Sequence, residues 1–487
     1  MGVTINSRLM PLIVIVAVST MVIASCIVHH DTLQEYTLFH GRSLFHFERD
    51  SLEFDSANRE PNEFENLKFL FFGTSRTYGQ LLHDRLNEAY PFLLSPHATN
   101  LAIPGSTPTF PCMCAESMIK EAATAAASSA SGGAAESTEQ QQHVDTKDNN
   151  NNDIAFDVIV VEFDRPFFDE TAWLVHRLRE RYPDAHIIVM EFWLLSYTYH
   201  KPTGRYLPKW AQEEGFSTHG NGVMTDKRLT HYLKTTTELS EWSLQTDKFQ
   251  YSPEEVQVFR NYNAVVLPIP ISINARHAAR SHGPLFFNDM HHYSVAGHEH
   301  IRDAILQELR DANFRTEPKP MSVVPWTSPD SCTSWFRTGQ VPLPHSNDFV
   351  VREFKQDKYA LELHKSDGTS TTSWIEVDNT LGEDADLYVE RMVTSPDCMY
   401  PKMVIQVTGT DDQPVVAGCE PLPWAWTVNV AKGLYVGTIP PGKWRLEFEK
   451  NVHDTHDAPW PFRVLGITVT AKGNSITKGW STPERYS

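Results

Sequence analysis

Six mostly apolar residues, Leu67–Phe72, run into Gly73 and then present Thr74 and Ser75. A short apolar run closed by glycine reads as an interior strand of a parallel sheet that ends in a tight turn. Gly79 and Leu81–Glu88 read as the start of a helix, which puts Ser75 near a helix N-terminus, at the carboxyl edge where open α/β sheets bind ligands. Taken alone, Gly-x-Ser after a strand is equally a plain turn. The pattern then repeats. Asn100–Ser106 is a strand end closed by Pro104-Gly105, Phe156–Phe163 an interior strand, and Glu170–Tyr182 a helix with Leu174, Leu178 and Tyr182 at four-residue spacing. His186–Phe192 and Tyr262–Ile273, with its Ala264–Leu267 centre, read as strands, and Val295–Leu309 as a helix carrying Ile301, Ile305 and Leu309 on one face. Such alternation over about 250 residues predicts a parallel sheet covered by helices on both faces.

The texture changes near Pro318. Pro-rich residues 318–330 read as a linker, and the short β-type runs Tyr359–Leu363, Ser373–Val377, Ala385–Val389, Met403–Val407, Leu434–Thr438, Lys443–Glu449 and Phe462–Thr470 predict an antiparallel sandwich. Within the first half, Ala122–Asn152 is an Ala/Ser/Gly run followed by Gln and Asn tracts. It has little to bury and is expected to be a disordered insertion on the surface. The expected organisation is 1–30 N-terminal signal-anchor, 31–66 stalk, 67–315 α/β domain with the insertion at 120–153, 316–330 linker, 331–473 β-sandwich and 474–487 tail.

Pro11–Val28 is an uncharged apolar stretch close to the lower limit for spanning a bilayer. Arg8 before it and His29-His30-Asp31 after it orient the short N-terminus to the cytosol, giving a single-pass membrane protein with a lumenal or extracellular body. The alternative is a secreted protein, since Ala24-Ser25-Cys26 offers small residues for signal cleavage. A formal charge of −19 leaves no basic face for nucleic acid. Six cysteines are too few for a disulfide scaffold, and Cys112-Met113-Cys114 lacks zinc spacing. In a lumenal body, two of Cys332, Cys398 and Cys419 are expected to pair.

A hydroxyl nucleophile needs a base and a group that orients it. The segment Phe286–His298 supplies Asp289 and His292 three residues apart just before the last helix. A carboxylate at that spacing on a turn reaches one ring nitrogen and leaves the other for Ser75. The remaining histidines, His291, His298 and His300, read as surface or helix-capping residues. Together with His292 they also form a candidate metal cluster, but no Cys or acidic group completes it, and neither metal nor cofactor is expected.

Gly73-Thr74-Ser75 after the first strand, Asn100…Pro104-Gly105 at the second and Asp289-x-x-His292 with Ser294 and Gly297-His298 at the last helix resemble the signature blocks of the SGNH (GDSL-type) hydrolase superfamily. The resemblance implies a flavodoxin-like three-layer α/β/α sandwich performing acyl transfer, here with the appended antiparallel β-sandwich. It implies Ser75 as nucleophile, His292 as general base, Asp289 as its orienter, and the backbone N–H groups of Ser75 and Gly105 in the oxyanion hole. The family's third oxyanion donor, an Asn after the third strand, does not map, because that run reads Glu162-Phe163-Asp164-Arg165-Pro166-Phe167. Loss of one such donor costs about 100- to 1000-fold in turnover. Arg165 is then either a substitute donor or a structural partner for Asp164 or Asp169.

The expected function is a serine acyl-ester hydrolase, with O-acetylated or otherwise acylated carbohydrate as substrate and partner, contacting the membrane through residues 11–28. Its rivals are an acyltransferase with the same triad and a catalytically inactive glycan-binding or adhesion protein. Trp424, Trp426, Trp444 and Trp460 are candidate sugar-stacking side chains of the sandwich, although an isolated Trp in a β-sandwich is more often core.

Overall fold

A computed structural model describes residues 62–104, 106–131, 154–192, 250–269, 285 and 292–326. In the C-terminal half it describes 331–355, 358–363, 372–393, 403–409, 417–419, 430–450 and 462–472, and between 198 and 244 three short strands.

The apolar runs become strands β1 (Phe69–Phe72), β2 (Thr99–Asn100), β3 (Val158–Glu162), β4 (His186–Glu191) and β5 (Ala264–Pro268). All pair in parallel, in the spatial order β2-β1-β3-β4-β5, the flavodoxin-like order of a doubly wound sheet. Successive strand residues face opposite sides. Leu70, Phe72, Ile159, Val161, Ile187 and Val189 point into one core with the helices α3 (Thr109–Ser131), α4 (Phe168–Arg181) and α5 (Pro253–Asn261). Phe69, Phe71, Val158, Val160, Ile188 and Met190 point into the other, with α2 (Tyr90–Leu94) and α6 (Val295–Asp311). This gives three layers, with both sheet faces covered.

The C-terminal half is antiparallel. One six-stranded sheet runs β7 (Phe349–Lys355), β8 (Lys358–Leu363), β15 (Phe462–Ala471), β10 (Ala385–Val393), β13 (Val430–Ile439), with β6 (Ser331–Ser334) also paired to β15. A four-stranded sheet runs β9 (Thr372–Asn379), β14 (Gly442–Lys450), β11 (Met403–Gly409), β12 (Ala417–Cys419). Inward residues of both sheets, among them Leu361, Val389, Val464, Ile375, Val407 and Leu446, share one core.

The two halves share apolar packing. Phe336, Ala360, Tyr388, Met392 and Leu465 of the β-rich half belong to the same cluster as α3 and α4, and the rings of Phe110 and Phe336 meet edge to face at 6.1 Å. The predicted linker is docked as well. Val324 N–H donates to the Arg181 carbonyl at 2.9 Å, and the Arg177 guanidinium lies 5.2 Å over the Trp326 ring.

Four expectations change, and one alternative, that Trp444 is core, is decided. No helix among the described residues is long and apolar enough to cross a membrane, so the single-pass membrane assignment and its signal-anchor and transmembrane labels are withdrawn, as is membrane contact; residues 11–28 lie outside the described residues. The stalk ends earlier than residue 66, because Phe64 is buried in the second core and Asn62 Nδ2 donates to the Leu94 carbonyl at 2.8 Å. Part of the predicted disordered insertion is helical: α3 continues through Ser131, since alanine extends a helix already nucleated by packed residues. Residues 132–153 lie outside the described residues. Cys332 pairs with Cys114 of α3 across 218 residues rather than with Cys398 or Cys419, which fastens β6 to the parallel half. Trp444 is core, its indole N–H donating to the Pro440 carbonyl at 2.9 Å, while Trp424, Trp426 and Trp460 lie outside the described residues.

Candidate active site

The chain leaves β1 at Gly73, where a Cβ would come within 2.8 Å of Glu162 Oε2 and closer still to Thr77 Oγ1. Glycine is required here by close approach. Thr74, extended at φ −98° and ψ −160°, is the N-cap, and its hydroxyl accepts from Arg76 N–H. Ser75 is therefore the first residue of a one-turn helix, α1 (Ser75–Tyr78). Gly79 ends that turn in the left-handed region at φ 84° instead of starting a helix, and the predicted helix over Leu81–Glu88 is a 3-10 stretch, His83–Glu88, kinked at Arg85.

His292 arrives from the other end of the domain. Ser294 caps α6, its hydroxyl accepting from Gly297 N–H at 3.4 Å and its own N–H donating to the Leu285 carbonyl at 2.9 Å. A Cβ on Gly297 would collide with that carbonyl and with the Tyr293 ring, so the Gly297-His298 pair is dictated by packing. Tyr293 is buried against Phe192 at 5.4 Å. The cap and this ring contact fix the residue just before them. His292 Nε2 lies 2.9 Å from Ser75 Oγ, although 217 residues separate the two in sequence. Ser75 is 6% exposed and His292 half-buried. Asp289 and Gly105 lie outside the described residues.

The second strand supports the turn. Asn100 Nδ2 donates to the Thr77 carbonyl at 3.2 Å, and its Oδ1 accepts from Ala102 N–H at 3.0 Å. Ser106 Oγ donates to the Gly73 carbonyl at 3.3 Å.

Glu162, the last residue of β3, is a site residue that the sequence did not mark. It is 1% exposed. Its carboxylate accepts from Thr74 N–H at 2.8 Å, Thr74 Oγ1 at 3.0 Å and Thr77 Oγ1 at 2.9 Å, and it pairs with Arg76 Nη2 at 2.5 Å. Arg76 also meets Asp164 at 2.8 Å and lies 5.5 Å over the Phe192 ring. Burial alone would lower the Arg76 pKa, but Asp164 and Glu162 outweigh it and hold the guanidinium charged. Burial pushes Glu162 up from the ordinary carboxylate value, with Arg76 the main opposing influence.

Thr77 gives its one hydroxyl proton to Glu162, so in its 2.7 Å contact with Tyr90 the phenol is the donor. The Tyr90 backbone N–H donates in turn to His298 Nδ1 at 3.3 Å, with the two rings stacked at 5.9 Å. His298 is thus buried in α6 and not the surface residue expected. Its Nδ1 accepts, so Nε2 carries the proton. Burial, reinforced by His292 nearby, pushes its pKa down to about 3 and keeps it neutral.

Arg165 donates to Glu255 Oε2 at 2.8 Å, a structural role, and Asp164 is taken by Arg76. Glu255 belongs to the capping box of Ser252 on α5, so Arg165 ties the end of β3 to that helix. No group of three or more His, Cys, Asp or Glu able to hold a metal occurs among the described residues. His292, His298 and His300 form no such group among the described residues, and His291 lies outside them.

No family model matches the sequence, and no curated protein matches it. Among solved structures, the chain is similar to a two-domain esterase (CEX) active on acetylated mannans, at 13% identity over 84% of this chain and 92% of that one, with a TM-score of 0.42. Over a shorter stretch the chain is similar to the module CsCBM6-3 from Clostridium stercorarium in complex with cellobiose, at 11% identity over 26% of this chain and 84% of that one, TM-score 0.18. It is also similar to a β-1,3-glucan binding CBM6 from Bacillus halodurans, at 10% identity over 26% of this chain and 89% of that one, TM-score 0.19.

Proposed function

We propose that the protein is a serine acyl-ester hydrolase acting on O-acylated carbohydrate, with Ser75 as nucleophile, His292 as general base and Asp289 as the carboxylate that orients it. The observation that carries this reading is the 2.9 Å approach of His292 Nε2 to Ser75 Oγ at the carboxyl edge of the parallel sheet. His292 Nε2 takes the hydroxyl proton as Oγ attacks the ester carbonyl carbon. Negative charge then collects on the carbonyl oxygen, facing the backbone N–H groups of Ser75 and Gly105. Collapse expels the sugar alkoxide, which takes the proton back from His292. Water repeats the cycle on the acyl-enzyme and releases the free acid.

A fluorophosphonate probe tests the assignment. The folded protein is expected to label on Ser75, and Ser75→Ala or His292→Ala is expected to abolish labelling. Release of acetate from an O-acetylated polysaccharide, set against transfer of the acetyl group to an added sugar, separates hydrolase from acyltransferase. The sequence Asp164-Arg165-Pro166-Phe167, which lacks the third oxyanion donor, favours the rival reading of an inactive glycan-binding protein. A folded protein that neither labels nor cleaves a chromogenic ester would establish that rival.

A further inference from the structure

We infer that Glu162 is a positioning residue that sets the nucleophile: it acts through Thr74, Arg76 and Thr77 to hold Ser75 Oγ in line with His292, and it touches no reacting atom. The inference rests on the hydrolase reading of Ser75. The turn that carries Ser75 cannot hold itself, because α1 is four residues long and one helical turn is unstable alone. Asn100 and Ser106 support its backbone from the second strand, and its side chains gather on a single carboxylate. Three of the four residues Thr74–Thr77 bond to Glu162, and Ser75 is the one between them that does not.

The anchor is rigid at its own end. Glu162 sits in parallel register opposite Met190 in the middle of the five-stranded sheet, with Val160 and Val161 fully buried before it. The fit is tight on the other side too, because the bare Gly73 Cα leaves the space that Glu162 Oε2 fills. All proton directions agree: Tyr90 donates to Thr77, and Thr77, Thr74 and Arg76 donate to Glu162, so the acceptor-only carboxylate is the sink of the network. Arg76 is shared between Glu162 and Asp164 and offsets the charge of Glu162. Through Tyr90 the same network reaches His298 on α6, the helix that begins just after His292. Tyr90 thus touches both the element carrying the nucleophile, through Thr77 and Glu162, and the helix that follows the base.

The test compares wild type with Glu162→Gln and Thr77→Val, using fluorophosphonate labelling rate, kcat and KM on a chromogenic acetyl ester, and thermal melting. Each rate is read per folded molecule, well below the melting point. A misplacement of about 1 Å costs on the order of 100-fold in rate, so Glu162→Gln is expected to lower kcat and labelling by about 10- to 100-fold with KM within about twofold. Thr77→Val removes one donor and keeps the carboxylate. It is expected to lower kcat by about 3- to 10-fold and to lower the melting point, because the buried Tyr90 hydroxyl loses its acceptor, while leaving the protein folded at the assay temperature. Wild-type kcat in folded Glu162→Gln overturns the proposal. If Glu162→Gln does not fold, wild-type kcat in Thr77→Val overturns it. A folded wild type that neither labels nor turns over ester overturns the hydrolase reading, and the positioning role with it, a pattern distinct from active wild type alongside equally active variants.

Discussion

Lys358 of the β-rich half is 1% exposed and donates from Nζ to the backbone carbonyl of Asn100 in the parallel half at 3.4 Å. Its ammonium also lies 4.9 Å from the centre of the Phe336 ring and 5.7 Å from that of Tyr78, the last residue of the turn that carries Ser75. Asn100 in turn holds the Thr77 carbonyl. A side chain of the sandwich thus braces the scaffold of the proposed nucleophile. Lys358→Met keeps the stem and removes the donor, leaving a buried carbonyl short of a partner. It is expected to lower unfolding stability by about 1–3 kcal/mol, measured by urea denaturation. An unchanged midpoint would show that Lys358 braces nothing.

The Cys114–Cys332 bond closes a loop of 218 residues between the halves. A crosslink of that span stabilises chiefly by restricting the unfolded chain, by on the order of 2–5 kcal/mol. The double variant Cys114→Ala/Cys332→Ala is expected to melt earlier by a corresponding amount and to keep its near-UV spectrum, because Phe110 and Phe336 and their shared core remain. Loss of that spectrum at low temperature would mean that the bond, not the packing, holds the halves together.

Two buried groups give stability opposite pH slopes. Burial pushes the Glu390 carboxyl up to about 8, against a hydrogen bond from Thr468 Oγ1 at 3.3 Å. The folded chain keeps this proton where the unfolded chain loses it, so stability falls as pH rises from about 4.5 to 8, by at most about 1.4 kcal/mol per pH unit. His298 is pushed down to about 3, so the unfolded chain binds the extra proton and stability falls as pH drops from about 6.5 towards 3. Glu390→Gln is expected to flatten the alkaline side of the denaturation profile and leave the acid side intact. A profile whose alkaline slope survives in that variant would show that Glu390 ionises normally.

Arg165 and Glu255 form a partly exposed pair, for which about 0–1 kcal/mol is typical. Arg165→Ala is expected to shift stability by less than about 1 kcal/mol and to leave ester turnover within about twofold. A fall of about 100-fold would reinstate Arg165 as the missing oxyanion donor.

Local pattern carried much of the architecture. Phe69–Phe72, Val158–Glu162 and His186–Glu191 are strands because runs of large apolar side chains can be buried only between two layers, and Val295–Asp311 is a helix because its apolar residues recur on one face. The sequence alone also marked Ser75 and His292, through the residues that flank each. It misjudged Ala122–Ser131, where alanine propensity extends a packed helix, and the partner of Cys332, because pairing across 218 residues depends on how β6 meets α3. Only the tertiary structure decided that Ser75 and His292 meet at 2.9 Å, that Glu162 gathers the turn around Ser75, and that the sandwich shares a core with the parallel half. The physical reason is range. Helix and strand periodicities are set by neighbours within a few residues, whereas these contacts depend on strand order and register, which bring together side chains that the linear pattern leaves unrelated.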